Sequence, residues 1–156
     1  MGERQVSAQR HIRADADTLW KMVSDVTRMG EWSPETTRCE WVGGATGPEV
    51  GARFRGVNRL GKRTWKTVNE VVEAEPGRVF AFETKAGPMA VARWEYRFEP
   101  ADDGTTVTET WTDERGWFIT VAGKLVSGVP DRAEHNRAGM ERTLEALAAA
   151  AEGAAG

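Results

Sequence analysis

Glu109 is the residue of this 156-residue chain best placed, by type and spacing, to do chemistry. It alternates with Val107 and Trp111, so a strand through 105–113 turns its carboxylate to the same face as an indole. Desolvation among aromatic rings raises the pKa of a carboxyl group. A carboxyl kept protonated near neutral pH can donate a proton or anchor a hydrogen bond. The structural alternative is an ion pair with Arg137 on the terminal helix. The functional mirror of that geometry leaves the Arg137 guanidinium for a ligand carboxylate or enolate.

Around this carboxylate stands an unusual set of aromatic residues: seven tryptophans, five phenylalanines and a single tyrosine. An indole buries roughly 150–250 Å² and usually needs a partner for its N–H, so a small domain has limited room for many of them. The clearest alternation runs over 91–99, with Trp94, Tyr96 and Phe98 on one face and Arg93, Glu95, Arg97 and Glu99 on the other. Extended to the other strands, the same period names an inner face. It holds Phe54, Gly56 and Asn58, then Trp65, Thr67, Asn69 and Val71, then Phe80 and Phe82, and finally Val107, Glu109 and Trp111. Aromatics alone would read as ordinary core. Asn58, Asn69 and Glu109 argue for a cavity, because a buried polar group without a partner costs about 1–3 kcal/mol and a partly wet space can satisfy it.

The elements that must position these residues follow from periodicity and turn chemistry. A strand over 6–12 precedes Asp15, an N-cap for a helix whose apolar stripe is Ala16, Leu19, Trp20 and Val23. Asp25 caps a second short helix that runs through Met29 and stops at Gly30. Six further strands are predicted over 37–42, 53–60, 62–74, 78–85, 91–99 and 105–113, with glycine-rich or Pro-Gly turns between them. The stretch 116–126 reads as helical, interrupted by Gly128-Val129-Pro130. Asp131 and Glu134 have the spacing of an acidic capping box and open a last helix that ends near Glu152, before Gly153. Ala133, Arg137, Met140, Leu144 and Leu147 trace one face of it, so Arg137, Met140 and Leu144 are expected to close the cavity. A single antiparallel sheet of this length must curl, and the helix lies across its concave side. The space between them is where small-molecule sites form.

Other signals fail. Gly56-Val57-Asn58-Arg59-Leu60-Gly61-Lys62-Arg63 nearly spells a phosphate-binding loop, but Arg63 stands where a hydroxyl should meet Mg²⁺, and the context is a hairpin. His11 and His135 are the only histidines, and Cys39 the only cysteine, so no metal-ligand cluster has recognisable spacing and no disulfide is possible. His135 reads as solvent-facing, with no nucleophile in register, and Cys39 as a small packing residue. Neither a metal nor a cofactor is expected. Charged residues make up 29 %, and the 21 basic residues are scattered and outnumbered by 24 acids, so no nucleic-acid surface is expected. No stretch approaches the ~20 apolar residues of a membrane span and no signal core follows the N-terminus, which makes cytoplasmic residence the default.

The order of elements, together with particular residues, resembles a known family. The residues are Ile12-Arg13-Ala14-Asp15-Ala16-Asp17-Thr18-Leu19-Trp20, Val23-Ser24-Asp25, Trp32-Ser33-Pro34, Trp65, Val71-Val72-Glu73-Ala74-Glu75-Pro76-Gly77-Arg78 and Gly104-Thr105-Thr106-Val107-Thr108. They resemble the START/Bet v 1-like (SRPBCC) superfamily, in particular its bacterial polyketide cyclase/dehydrase-like branch. The resemblance implies an α+β helix-grip fold over 1–156 as one domain. A curved antiparallel sheet of about seven strands would wrap a long C-terminal helix, with two short helices after the first strand. It implies a hydrophobic or aromatic small molecule, lipid, quinone or polyketide-like, bound between sheet and helix. Trp32 would then lie at the cavity mouth as a gate, or else cap one end of the core. The alternative is an aromatase/cyclase-type enzyme in which Glu109, Tyr96 or Arg137 moves protons or stabilises an enolate. A further alternative is a regulatory or toxin-like protein acting through a protein partner, which nothing in the residues indicates.

Overall fold

The computed structural model describes residues 5–114 and 132–155. β1 (Gln5–Ile12) leads through Asp15, whose carboxylate accepts from the Thr18 N–H at 2.7 Å, into α1 (Ala16–Ser24). A 3₁₀ segment (Val26–Glu31) follows, capped by Asp25, which accepts from the Thr27 N–H. Then come β2 (Thr36–Val42), β3 (Arg53–Leu60), β4 (Arg63–Glu75), β5 (Val79–Ala86), β6 (Met89–Ala101), β7 (Gly104–Asp113) and the terminal helix α2 (Arg132–Ala155).

The strands form one antiparallel sheet in the order β1-β7-β6-β5-β4-β3-β2. This is the helix-grip arrangement, with α2 packed against β1 and β7. Register shifts at Thr36/Arg38, Val71/Glu73 and Thr84/Lys85 mark bulges, which bend strands and increase local twist. Alternation sends the charged side chains to the convex face. There Arg53 pairs with Glu70 at 3.1 Å, and Arg93 bridges Glu73 and Glu95.

Apolar packing is concentrated at one end. Ile12, Leu19, Trp20, Val23, Val26 and Trp32 meet Phe80, Phe98, Val107, Leu144 and Leu147 in one buried cluster. Trp20 is locked there by its indole N–H, which donates to the Val79 carbonyl at 2.8 Å. A smaller cluster of Val6, Trp111, Ala133 and Met140 holds the first turns of α2 onto β1 and β7.

Two expected helix ends differ from the structure. The 3₁₀ segment continues past Gly30, whose role is close approach rather than termination. A Cβ built there would sit 2.5 Å from the Thr37 carbonyl oxygen of β2. Similarly, α2 runs through Gly153 to Ala155. A glycine costs about 1 kcal/mol against alanine inside a helix, which does not by itself end one. The expected helix over 116–126, its break at Gly128-Val129-Pro130, the Asp131 cap and Trp117 lie outside the described residues.

Candidate functional site

Between the sheet and the first half of α2 lies a cavity of about 550 Å³. Phe54, Trp65, Phe82, Trp94 and Trp111 supply its aromatic wall, and Met140 closes it from the helix. The wall is built by register. Trp94 on β6 stands opposite Trp111 on β7, Tyr96 opposite Glu109, and Asn58 on β3 opposite Trp65 on β4. Phe54 packs edge-on against Phe82, with ring centroids 5.0 Å apart, and against Trp41 on its other side at 5.6 Å.

The asparagines prove to be bound to their neighbours. Thr36 donates to Asn58 Oδ1 at 2.9 Å, and Asn58 Nδ2 donates to Thr67 Oγ1 at 3.3 Å. Asn69 Nδ2 donates to the same Thr67 oxygen at 3.3 Å, and Thr84 donates to Asn69 Oδ1 at 2.8 Å. Thr36, Asn58, Thr67, Asn69 and Thr84 thus form a side-chain ladder across four strands, along the cavity wall. Gly56 leaves room for it: a Cβ there would lie 3.0 Å from Thr67 Oγ1 and 3.4 Å from Cys39 Sγ. The polarity that pointed to a wet cavity is therefore, for these two asparagines, satisfied within the sheet.

Glu109 is different. Its side chain is buried, and Tyr96 donates to Oε2 at 2.9 Å. The second oxygen, Oε1, has no hydrogen-bond partner among the described residues. Burial drives the carboxyl up to about 8, only partly opposed by the Tyr96 hydroxyl. Burial and the adjacent carboxylate likewise push Tyr96 well above the usual phenol range. Near neutral pH, Glu109 is then a carboxylic acid, held by one oxygen and able to donate from the other. The ion pair with Arg137, the structural alternative, is not formed. That guanidinium pairs with Glu134 at 3.2 Å and does not line the cavity.

Three comparisons bear on this site. The family model described as polyketide cyclase / dehydrase and lipid transport matches residues 3–152. The chain belongs to this family. Within the fold class, a polyketide-cyclase-like protein from Corynebacterium glutamicum, solved by solution NMR, is 33% identical over 97% of this chain and 94% of its own, with a TM-score of 0.65. A major latex-like protein from Panax ginseng aligns at 13% identity and TM-score 0.71, covering 94% of this chain and 96% of that one. The di-domain ARO/CYC protein StfQ of the steffimycin biosynthetic pathway aligns at 14% identity and TM-score 0.72, over 97% of this chain and 51% of that one. At those identities the last two show the fold alone. No curated protein matches the chain.

In this member of the polyketide cyclase/dehydrase family, the cavity gathers Phe54, Asn58, Trp65, Asn69, Phe82, Trp94, Tyr96, Glu109, Trp111 and Met140 from the expected set. Four expected residues stand elsewhere. Phe80 and Leu144 are fully buried in the packed end, and Arg137 lies on the flank of α2. Trp32 is also core, with the Arg28 guanidinium 4.9 Å from its ring centroid, so it caps the core rather than gating the cavity. Met29 of the 3₁₀ segment, with Ser33 and Pro34 of the loop after it, lines the cavity instead.

Sequence reasoning passed over two residues of α2. His135, expected in solvent, lines the cavity and bonds Glu35 Oε2 at 3.1 Å. Asn136 is buried against the cavity, and its Nδ2 has no hydrogen-bond partner among the described residues. Cys39 also faces the cavity, where burial pushes its thiol up to about 11. Among the described residues, no group of three or more His, Cys, Asp or Glu side chains has the geometry to hold a metal ion. No helix among them is long and apolar enough to cross a membrane.

Proposed function

We propose that this protein binds a hydrophobic, aromatic small molecule in the cavity between its sheet and the first half of α2. One observation carries the reading: a space of about 550 Å³ walled by Trp65, Trp94 and Trp111. That volume lies within the range of small-molecule sites, roughly 300–1,000 Å³, and stacked or edge-on indoles favour flat rings over water. Native mass spectrometry of freshly purified protein, followed by organic extraction, tests for a co-purifying compound, and anthracene titrated against tryptophan fluorescence tests the empty site. The expected result is a bound compound or saturable quenching. Finding neither refutes the reading.

The state of Glu109 favours a second reading, a cyclase-type enzyme acting on a polyketide-like substrate. Here the neutral carboxyl protonates a ketone oxygen as a carbon–carbon bond forms at that carbonyl. The attacking carbon is that of an enol, and as its carbon–carbon bond forms the carboxylate takes the proton from the former enol oxygen, so the group is regenerated. Tyr96, donating to Oε2, fixes the orientation and stabilises the transient carboxylate. Glu109→Gln separates the two readings. A carrier keeps most of its affinity, whereas an acid/base catalyst loses about 10²-fold or more in turnover.

A further inference from the structure

Among the described residues, two fully buried side-chain polar atoms have no hydrogen-bond partner: Glu109 Oε1 and Asn136 Nδ2. Both residues line the same cavity, and they come from opposite walls of it, β7 and α2. Met140, one turn beyond Asn136, packs with Trp111, two residues along β7 from Glu109. The surface near the two orphans is thus indole and thioether, and none of those groups competes for the two atoms. Most of the buried and half-buried polar lining is committed elsewhere, while Lys66 and Arg142 line the cavity as exposed cations. The ladder from Thr36 to Thr84 bonds within itself, Thr143 donates back to the Gly139 carbonyl, and His135 is held by Glu35. Buried polar groups are almost always paired, so two orphans in one cavity wall mark places that something other than the protein must satisfy.

We infer that Asn136 is a specificity-determining residue and that, with Glu109, it selects a ligand carrying hydrogen-bond-accepting oxygens at two separate positions of a ring system. The inference rests on the cavity being a ligand site, as proposed above. The amide Nδ2 can only donate, and a protonated carboxyl donates from its second oxygen, so the complement of both is an acceptor. A plain acyl or isoprenoid chain has acceptors at one end at most, and an unsubstituted polycycle has none. Either would leave one or both atoms desolvated and unpaired. A site built to bond an oxygen rejects an analogue that lacks it more strongly than an apolar wall rejects a change of shape.

The test titrates the whole chain with three probes: 1,8-dihydroxyanthraquinone, its oxygen-free counterpart anthracene, and oleate. Wild-type protein is expected to bind the oxygenated ring at least about 10-fold more tightly than anthracene or oleate. Asn136→Leu should lose about 10- to 100-fold for the dihydroxyanthraquinone while holding or gaining affinity for anthracene. Asn136→Asp keeps the shape and exchanges donor for acceptor, so it should show the same selective loss if the leucine variant does not fold. If anthracene binds as tightly as the quinone and both Asn136 variants treat the two alike, the orphans are water sites only and the inference is overturned. If no probe binds wild-type protein at all, the ligand-site reading itself fails and takes the inference with it.

Discussion

Replacing Glu109 by glutamine should change how stability depends on pH. A carboxyl raised from 4.5 in the unfolded chain to about 8 in the fold binds its proton more tightly when folded. The folded state therefore keeps its full advantage below the unfolded value and loses it as pH rises from about 4.5 towards 8. Each unit is worth about 1.4 kcal/mol, so the full penalty for holding an ionisable acid in this site approaches about 5 kcal/mol in alkaline solution. Glutamine has nearly the same shape, can accept the Tyr96 bond through its amide oxygen, and does not titrate. The stability of Glu109→Gln relative to wild type should therefore grow by about 2–3 kcal/mol between pH 5 and pH 7, and flatten above pH 8. Urea unfolding of both proteins, followed by tryptophan fluorescence at each pH, measures the difference. Groups that are common to the two proteins and do not touch position 109 cancel in it. Stability curves that stay parallel from pH 5 to pH 8 would refute the claim that Glu109 is buried as a neutral acid.

Two smaller perturbations test the cavity wall. Gly56→Ala would bring a methyl within 3.0 Å of Thr67 Oγ1 and push that hydroxyl off Asn58 and Asn69. A loss of about 1–2 kcal/mol, visible as a midpoint lower by several degrees, is expected; an unchanged melting curve would show that the ladder adds nothing to stability. Cys39 is buried with a thiol raised to about 11, so a thiol-specific disulfide reagent at neutral pH should label it slowly in the fold and at once in denaturant. Equal rates in both states would place the thiol in solvent.

Much of this architecture was legible in the residues. Period-two patterning put Trp94, Tyr96 and Glu109 on the inner face, and the register confirms that Tyr96 and Glu109 stand opposite one another. Strand ends fell within a residue or two because the turns carry glycine, proline and aspartate. Cross-strand distance was not legible. Asn58 and Asn69 looked like unsatisfied groups, since no linear pattern reveals that Thr36, Thr67 and Thr84 lie beside them. The stripe of α2 is buried as expected at Ala133, Met140, Leu144 and Leu147, but the buried face is wider than an apolar reading draws it, for a related reason. An apolar stripe drawn through Ala133, Arg137 and Met140 passes over Asn136 and Thr143, both buried on the sheet side. A reading that looks for hydrophobic residues discards the polar residue that a binding site needs on a buried face. For Trp32 the residue types left gate and cap both open; in the fold Pro34, two residues on, lines the cavity and lies beside Gly139 of α2.

The side-chain ladder has a consequence for how readily this cavity could change its occupant. Its five members exchange hydrogen bonds among themselves, so that stretch of wall makes no demand on a ligand's polarity. A lineage or a designer wishing to admit a new compound would leave it untouched and vary only positions 109 and 136, together with the rings that set the shape. Neither position belongs to the packed cluster of α1, the 3₁₀ segment and the later turns of α2. Polar recognition can thus be retargeted at two positions outside that cluster, while Phe54, Phe82 and Tyr96 serve the cluster and the cavity wall alike.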